Sequence, residues 1–158
     1  MKLPSLLHGG HDVVLDTMIL VYFFEDDQKY GRPCEWLLQQ AADGAFSGVI
    51  TPVTAAELLV KPLQSKQIAL ADRYRDALHS LPNIRLVGFS PEAGFMAGAL
   101  RAKYSLPLPG MIQVAVAMER NSTALISNDK ALQRVKEVNV ILLSSLMNKN
   151  KVFMNKSG

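Results

Sequence analysis

Short runs of apolar, largely β-branched residues alternate along this chain with stretches whose apolar positions recur at three- and four-residue spacing. The runs are Asp12 to Leu15, Phe46 to Thr51, Ile84 to Phe89 and Thr123 to Ser127, with Val138 to Leu143 as a fifth candidate. Strands alternating with helices predict a parallel sheet covered on both faces. The expectation is a three-layer α/β fold with a central, mostly parallel sheet of four to five strands flanked by helices.

Punctuation agrees with that reading. Gly44 follows Trp36 to Asp43 as a C-cap would, and Ser90-Pro91 offers a cap followed by a first-turn proline. Pro52 and Pro109 open helices in the same way. Between Ser65 and Leu81 the apolar positions Ile68, Leu70, Ala71, Tyr74, Leu78 and Leu81 keep a helical period, and Pro82 stops it. Gly94 and Gly98, one turn apart, are expected to permit close helix packing. No internal repeat, low-complexity segment or Gly/Ser linker divides the 158 residues, which suit one domain over 1–145 and a basic, frayed tail over 146–158.

Charge changes the picture little. Lys and Arg number 17 against 14 Asp and Glu, a net +3, and part of the excess is Lys149, Lys151 and Lys156 in the tail. The body is close to neutral, so a polyanionic partner is tolerated but not demanded. A mean hydropathy of +0.12 fits a large core or a self-association surface. Cys34 is the only cysteine, which excludes an intrachain disulfide and a cysteine zinc site and fits a reducing cytosol. The most apolar run, Val13 to Phe24, is interrupted by Asp16 and too short to span a bilayer, and no leader pattern opens the chain. A cytoplasmic protein with no membrane partner is expected.

Candidate chemistry lies in three acids. Asp16 ends the first strand, Glu57 follows the second in Thr54-Ala55-Ala56-Glu57, and Asp129 follows the fourth in Ser127-Asn128-Asp129-Lys130. Singly, each has a structural role open to it: Asp16 or Thr17 can cap a helix, Thr54 to Glu57 has capping-box spacing, and Asn128 can cap while Asp129 favours a helix N-terminus. Jointly they say more. Parallel strands all end on one edge, so acids just beyond three of them converge in the crevice where open α/β sheets bind ligands. Carboxylates crowded there must take up protons or share a cation, and hard oxygen ligands select magnesium or manganese.

Four blocks in order carry a resemblance: Leu15-Asp16-Thr17, then Thr54-Ala55-Ala56-Glu57-Leu58, then Leu106-Pro107-Leu108-Pro109-Gly110-Met111-Ile112-Gln113-Val114-Ala115-Val116-Ala117, then Ser127-Asn128-Asp129-Lys130. From about Val13 to Leu143 the chain resembles the PIN domain, and most closely the VapC-type toxins of bacterial toxin–antitoxin pairs. The resemblance implies a PIN fold, dependence on Mg2+ or Mn2+, endoribonuclease activity on an RNA substrate, and inhibition by a small cognate antitoxin. It also implies two departures. Met18 stands where the family usually has Asn or Ser, and Gly110 stands where the late block normally carries an Asp. Glycine is also poor helix design at that place, since a first-turn Asp favours the dipole and Gly costs about 1 kcal/mol relative to Ala.

On this reading Asp16 and Asp129 bind the metal directly or through water, Glu57 holds or tunes a water, and one magnesium with several waters suits three acids better than two ions. Thr17 and Asn128 are candidates to orient the acids, or equally helix caps, and Lys130 is a candidate phosphate contact or simply solvated. Activity is expected to be weak or absent, so the alternative is a non-catalytic PIN protein that binds RNA or an antitoxin. The apolar segment Ile19 to Phe24 suits core packing, and the resemblance implies that part of it serves a homodimer or antitoxin face. His8, His11 and His79 are scattered and suggest no nucleophilic catalysis. A phosphoryl-transfer domain with an aspartyl nucleophile is disfavoured, because Met18 occupies the place of a second acid and Phe89-Ser90 that of an acceptor Asp. No glycine-rich phosphate loop is present.

Overall fold

A computed structural model describes residues 1–147 of the chain. Its sheet contains β1 (Asp12–Leu15), β2 (Ser47–Ile50), β3 (Ile84–Leu86), β4 (Ala124–Ser127) and β5 (Val140–Leu142). These five strands lie in the order β3-β2-β1-β4-β5, and every pairing is parallel. The central strand, β1, is in register with both neighbours, Val14 standing opposite Val49 on one side and Leu125 on the other.

Alternation along β1 builds the layers. Val13 and Leu15 enter one core with Ile50, Ile84 and Ile126, while Val14 enters a second with Val49 and Leu125. The first core is covered by α1 (Thr17–Phe24), α2 (Gly31–Ala42), α3 (Pro52–Gln64), α4 (Ile68–Ser80) and α7 (Leu143–Met147). The second is covered by α5 (Pro91–Tyr104) and α6 (Leu108–Glu119). Both faces of β1, β2 and β4 are buried, which is why these three strands read as largely apolar runs. Fully burying side chains such as Leu15, Ile50 and Leu125 contributes about 1.5–3 kcal/mol each.

Helix starts follow the expected punctuation at Ser90-Pro91, Pro52 and Pro109, the last in the first turn of α6, and depart from it at one place. Ser90 caps α5, its Oγ accepting from Ala93 N at 3.1 Å, with Pro91 in the first turn. Thr51 caps α3, its Oγ1 accepting from Thr54 N at 3.5 Å, with Pro52 as the first helical residue. The Thr54 to Glu57 capping box is therefore corrected: the proline starts the helix earlier, Thr54 is already helical, and Glu57 projects from the second turn. The close packing expected of Gly94 and Gly98 is corrected as well. Helix α5 meets α6 through Ala93, Ala97, Leu100 and Tyr104, and a Cβ on either glycine would meet nothing within 4 Å.

The apolar segment of α1 divides. Ile19 and Leu20 are fully buried, whereas Val21, Tyr22, Phe23 and Phe24 are partly buried against the same core, with the Phe24 ring 4.9 Å from that of Tyr74. At the N-terminal edge of the sheet Asp12 accepts from Arg120 Nε and Nη2, at 3.0 and 2.8 Å, and from Arg85, tying β3 and the end of α6 to β1. Leu143 and Leu146 of α7 are buried in the first core. Lys149, Lys151 and Lys156 of the expected tail lie outside the described residues. Among the described residues no helix is long and apolar enough to cross a membrane.

Gly94 and Gly98 generate a test of the exposed face of α5. Converting both to Ala should raise unfolding stability by about 1 kcal/mol per site, the helix-propensity gain in open space. Denaturant unfolding of the double variant checks this, and a loss of stability would mean that the face is packed after all.

Candidate functional site

The C-terminal edge of the sheet delivers the three acids to one crevice. Asp16 directly follows β1, Asp129 lies two residues beyond β4, and Glu57 comes from α3, which starts two residues beyond β2. All three line a cavity of about 330 Å³, shared with Thr17, Met18, Pro107, Pro109 and Gly110.

Asp16 is the anchored member. Its backbone N–H donates to Ile126 O at 2.9 Å, prolonging the pairing of β1 with β4. Its Oδ1 accepts from Thr17 N at 2.8 Å and from Gln113 Nε2 at 3.1 Å, while Ser127 Oγ donates to Oδ2. The Thr17 hydroxyl has one proton to give, and it goes to Glu57 Oε2 at 2.6 Å. Thr17 Oγ1 then accepts from Gln113 Nε2 at 3.1 Å and from the Thr54 hydroxyl at 3.2 Å. Asp129 donates its backbone N–H to Ser127 Oγ at 3.0 Å and accepts from Ala131 N through Oδ1 at 2.8 Å, capping the short 3-10 turn Lys130–Arg134. One connected set of neutral hydrogen bonds thus touches all three acids, Asp129 through its backbone N–H to Ser127 Oγ.

Burial raises the Asp16 pKa above its ordinary 3.8; the bonds from Ser127 and Thr17 pull it down, and the charges of Glu57 and Asp129 push it further up. The three acids surround the cavity without closing into a cage. Among the described residues no group of three or more His, Cys, Asp or Glu lies close enough to hold a metal ion. Gly110, in the first turn of α6, lies in the same wall, and a Cβ there would meet only Leu132 Cδ2, at an ordinary 3.4 Å. Its backbone is not left-handed, so neither conformation nor space requires glycine.

A family model described as PIN domain matches residues 13–138. The chain belongs to the PIN domain family. Among solved structures it is similar to a chain of VapBC2 from Rickettsia felis bound to a promoter DNA fragment, at 20% identity and a TM-score of 0.68, over 83% of this chain and 98% of that one. It is likewise similar to a chain of a toxin-antitoxin complex from Klebsiella pneumoniae, at 23% identity and a TM-score of 0.64, over 83% and 97%. A third likeness is to a chain of FitAB bound to a DNA fragment, at 16% identity and a TM-score of 0.65, over 83% and 94%. At these identities the likeness is one of fold. No protein of curated function matches the sequence.

Within this PIN domain Thr17 meets Glu57 directly, whereas Asn128 makes no hydrogen bond to any of the three acids among the described residues. Ser127 turns toward Asp16, whereas Asn128 sits in the bend after β4, where Lys29 foremost and Asn128 second make the Tyr30 hydroxyl more acidic. Met18 adds an exposed apolar wall, and no histidine lines the cavity. Cys34 is buried with its thiol pushed up to about 12, by burial first and the Asp27 charge second, and is no nucleophile. Two residues of the site had been given no role from sequence, Gln113 and Ser127. The available signal for the first was a single amide inside the otherwise apolar run Met111 to Ala117; for the second, a hydroxyl ending a buried strand just ahead of an acid.

A raised Asp16 pKa means that the fold favours the protonated acid. The associated stability is complete below about 3.8, the ordinary value, and is lost as pH rises through the folded-state titration. Asp16→Asn should therefore melt above the unsubstituted protein at pH 7, and the advantage should vanish on acidification toward that value. Thermal melts across pH check both the sign and the window.

Proposed function

We propose that this PIN domain is a Mg2+- or Mn2+-dependent endoribonuclease of the toxin–antitoxin type whose activity is weakened by Gly110. The observation that carries the proposal is the meeting of Asp16, Glu57 and Asp129 around one cavity that also contains Gly110. An antitoxin partner is inferred from the likeness to toxin–antitoxin complexes, and the partly buried aromatic end of α1 is the face offered to it or to a second copy of the chain.

The donor set suits such an ion. Glu57 Oε1, Asp129 Oδ2 and one lone pair of Asp16 Oδ2 have no protein donor among the described residues. These are hard oxygens, appropriate to magnesium or manganese. Their open spacing fits an ion that keeps several waters, held by Asp16 and Asp129 with Glu57 reaching a water. When bound, the ion supplies positive charge for the phosphodiester and a more acidic water. The chain does the rest: three donors immobilise Asp16, Ser127 and Ala131 fix Asp129, and Glu57 Oε1 accepts the proton released by the attacking water.

A second reading is favoured by one specific observation, the lack of a metal-holding group of acids among the described residues: a PIN protein that binds RNA or an antitoxin without cutting. Gly110→Asp discriminates, because a Cβ there meets only the flexible end of Leu132. On the nuclease reading the variant binds Mn2+ and cleaves RNA better by about tenfold or more, roughly 1.4 kcal/mol from the added ligand, and Asp16→Ala abolishes cleavage. Calorimetry with Mn2+ beside an RNA cleavage assay measures both. Equal cleavage with and without the added carboxylate argues against the site, and no Mn2+ heat in either protein supports the non-catalytic reading.

A further inference from the structure

The cavity gathers three carboxylates, yet among the described residues no Lys, Arg or His lines it. What holds the acids in place is neutral, and one side chain reaches two of them. Gln113 of α6 is 1% exposed, and its Nε2 donates one proton to Asp16 Oδ1 and the other to Thr17 Oγ1, which passes its own proton to Glu57 Oε2. The amide orientation follows from its partners. Reversed, Gln113 would set Oε1 against the Asp16 carboxylate and leave Thr17 Oγ1 without that donor.

Folding alone does not favour glutamine here. Its neighbours Met111, Val114, Ala115, Val116 and Ala117 are buried and apolar, and Gln113 Oε1 is buried with no hydrogen-bond partner among the described residues. A Met or Leu at this position would fill the same core without an unsatisfied carbonyl. Both amide protons, by contrast, are spent on the acid site.

We propose that Gln113 is a positioning residue, a neutral clamp that sets the separation of Asp16 and Glu57 before any ion or RNA arrives. Its catalytic consequence rests on the nuclease reading above; the clamp itself does not. Fixing the acids in advance acts on turnover, because Gln113 lies behind Asp16 and Thr17 and does not line the cavity where RNA would bind.

The test uses the full chain labelled with 15N. The Gln113 side-chain NH2 pair should exchange with solvent far more slowly than those of exposed glutamines such as Gln64 and Gln133. Asp16→Ala should release one proton of the pair and Thr17→Val the other. In the Mn2+-supported RNA assay Gln113→Met, close in volume and without donors, should lower kcat by about 10- to 100-fold with KM unchanged. Gln113→Glu, which keeps the shape but sets a charge against Asp16, should not restore it. A fast-exchanging pair that ignores both substitutions overturns the clamp, and so does an unchanged kcat in Gln113→Met. A protected pair that responds to both, in a protein that cuts no RNA, upholds the clamp and sinks the nuclease reading instead.

Discussion

A carboxylate at the end of the central strand has to be kept in a place where water cannot solvate it fully, and the rest of the site follows from how that is done. Asp16 stands where β1 leaves the sheet between β2 and β4, so its neighbours come from three separate segments. Desolvation disfavours its charge, and Glu57 and Asp129 add repulsion. Thr17, Gln113 and Ser127 answer with donors, and two of them, Thr17 and Ser127, also contact the other acids. The crevice is thus organised by hydrogen bonds that the chain supplies itself.

The sheet makes this affordable. Two dry cores clamp the strands on both faces, and the paired arginines on Asp12 tie down the opposite edge. A rigid scaffold can then carry a crowded edge of acids, at the strand ends where open α/β sheets place their ligand crevices. Gly110 fits the same view. It adds no charge to the crevice wall, and neither its backbone nor its surroundings demand a glycine there.

Strands were legible because burial leaves largely apolar runs, and each run foretold a strand to within about three residues at either end. Ser90-Pro91 and Pro52 were legible because proline has one good place at a helix start. The three acids were legible because parallel topology brings strand ends together. What local patterns could not settle was direction. Thr54 to Glu57 has capping-box spacing, yet the proline two residues earlier outranks it; Gly94 and Gly98 have packing spacing, yet face away from α6. Gln113 was overlooked because an apolar helix reads as core, and only the tertiary contact with Asp16 gives its amide a purpose.

The account stands on one crevice at the C-terminal edge being where a cation and a phosphodiester meet. Titrating Mn2+ into 15N-labelled protein tests that directly, because the paramagnetic ion broadens the amide signals nearest to it. The signals of Asp16, Thr17, Glu57, Gly110 and Asp129 should fade together at the lowest Mn2+ levels, ahead of those around Asp12, Asp72 and Asp76. Broadening spread evenly over the acidic surface, or centred away from these five residues, would contradict the account.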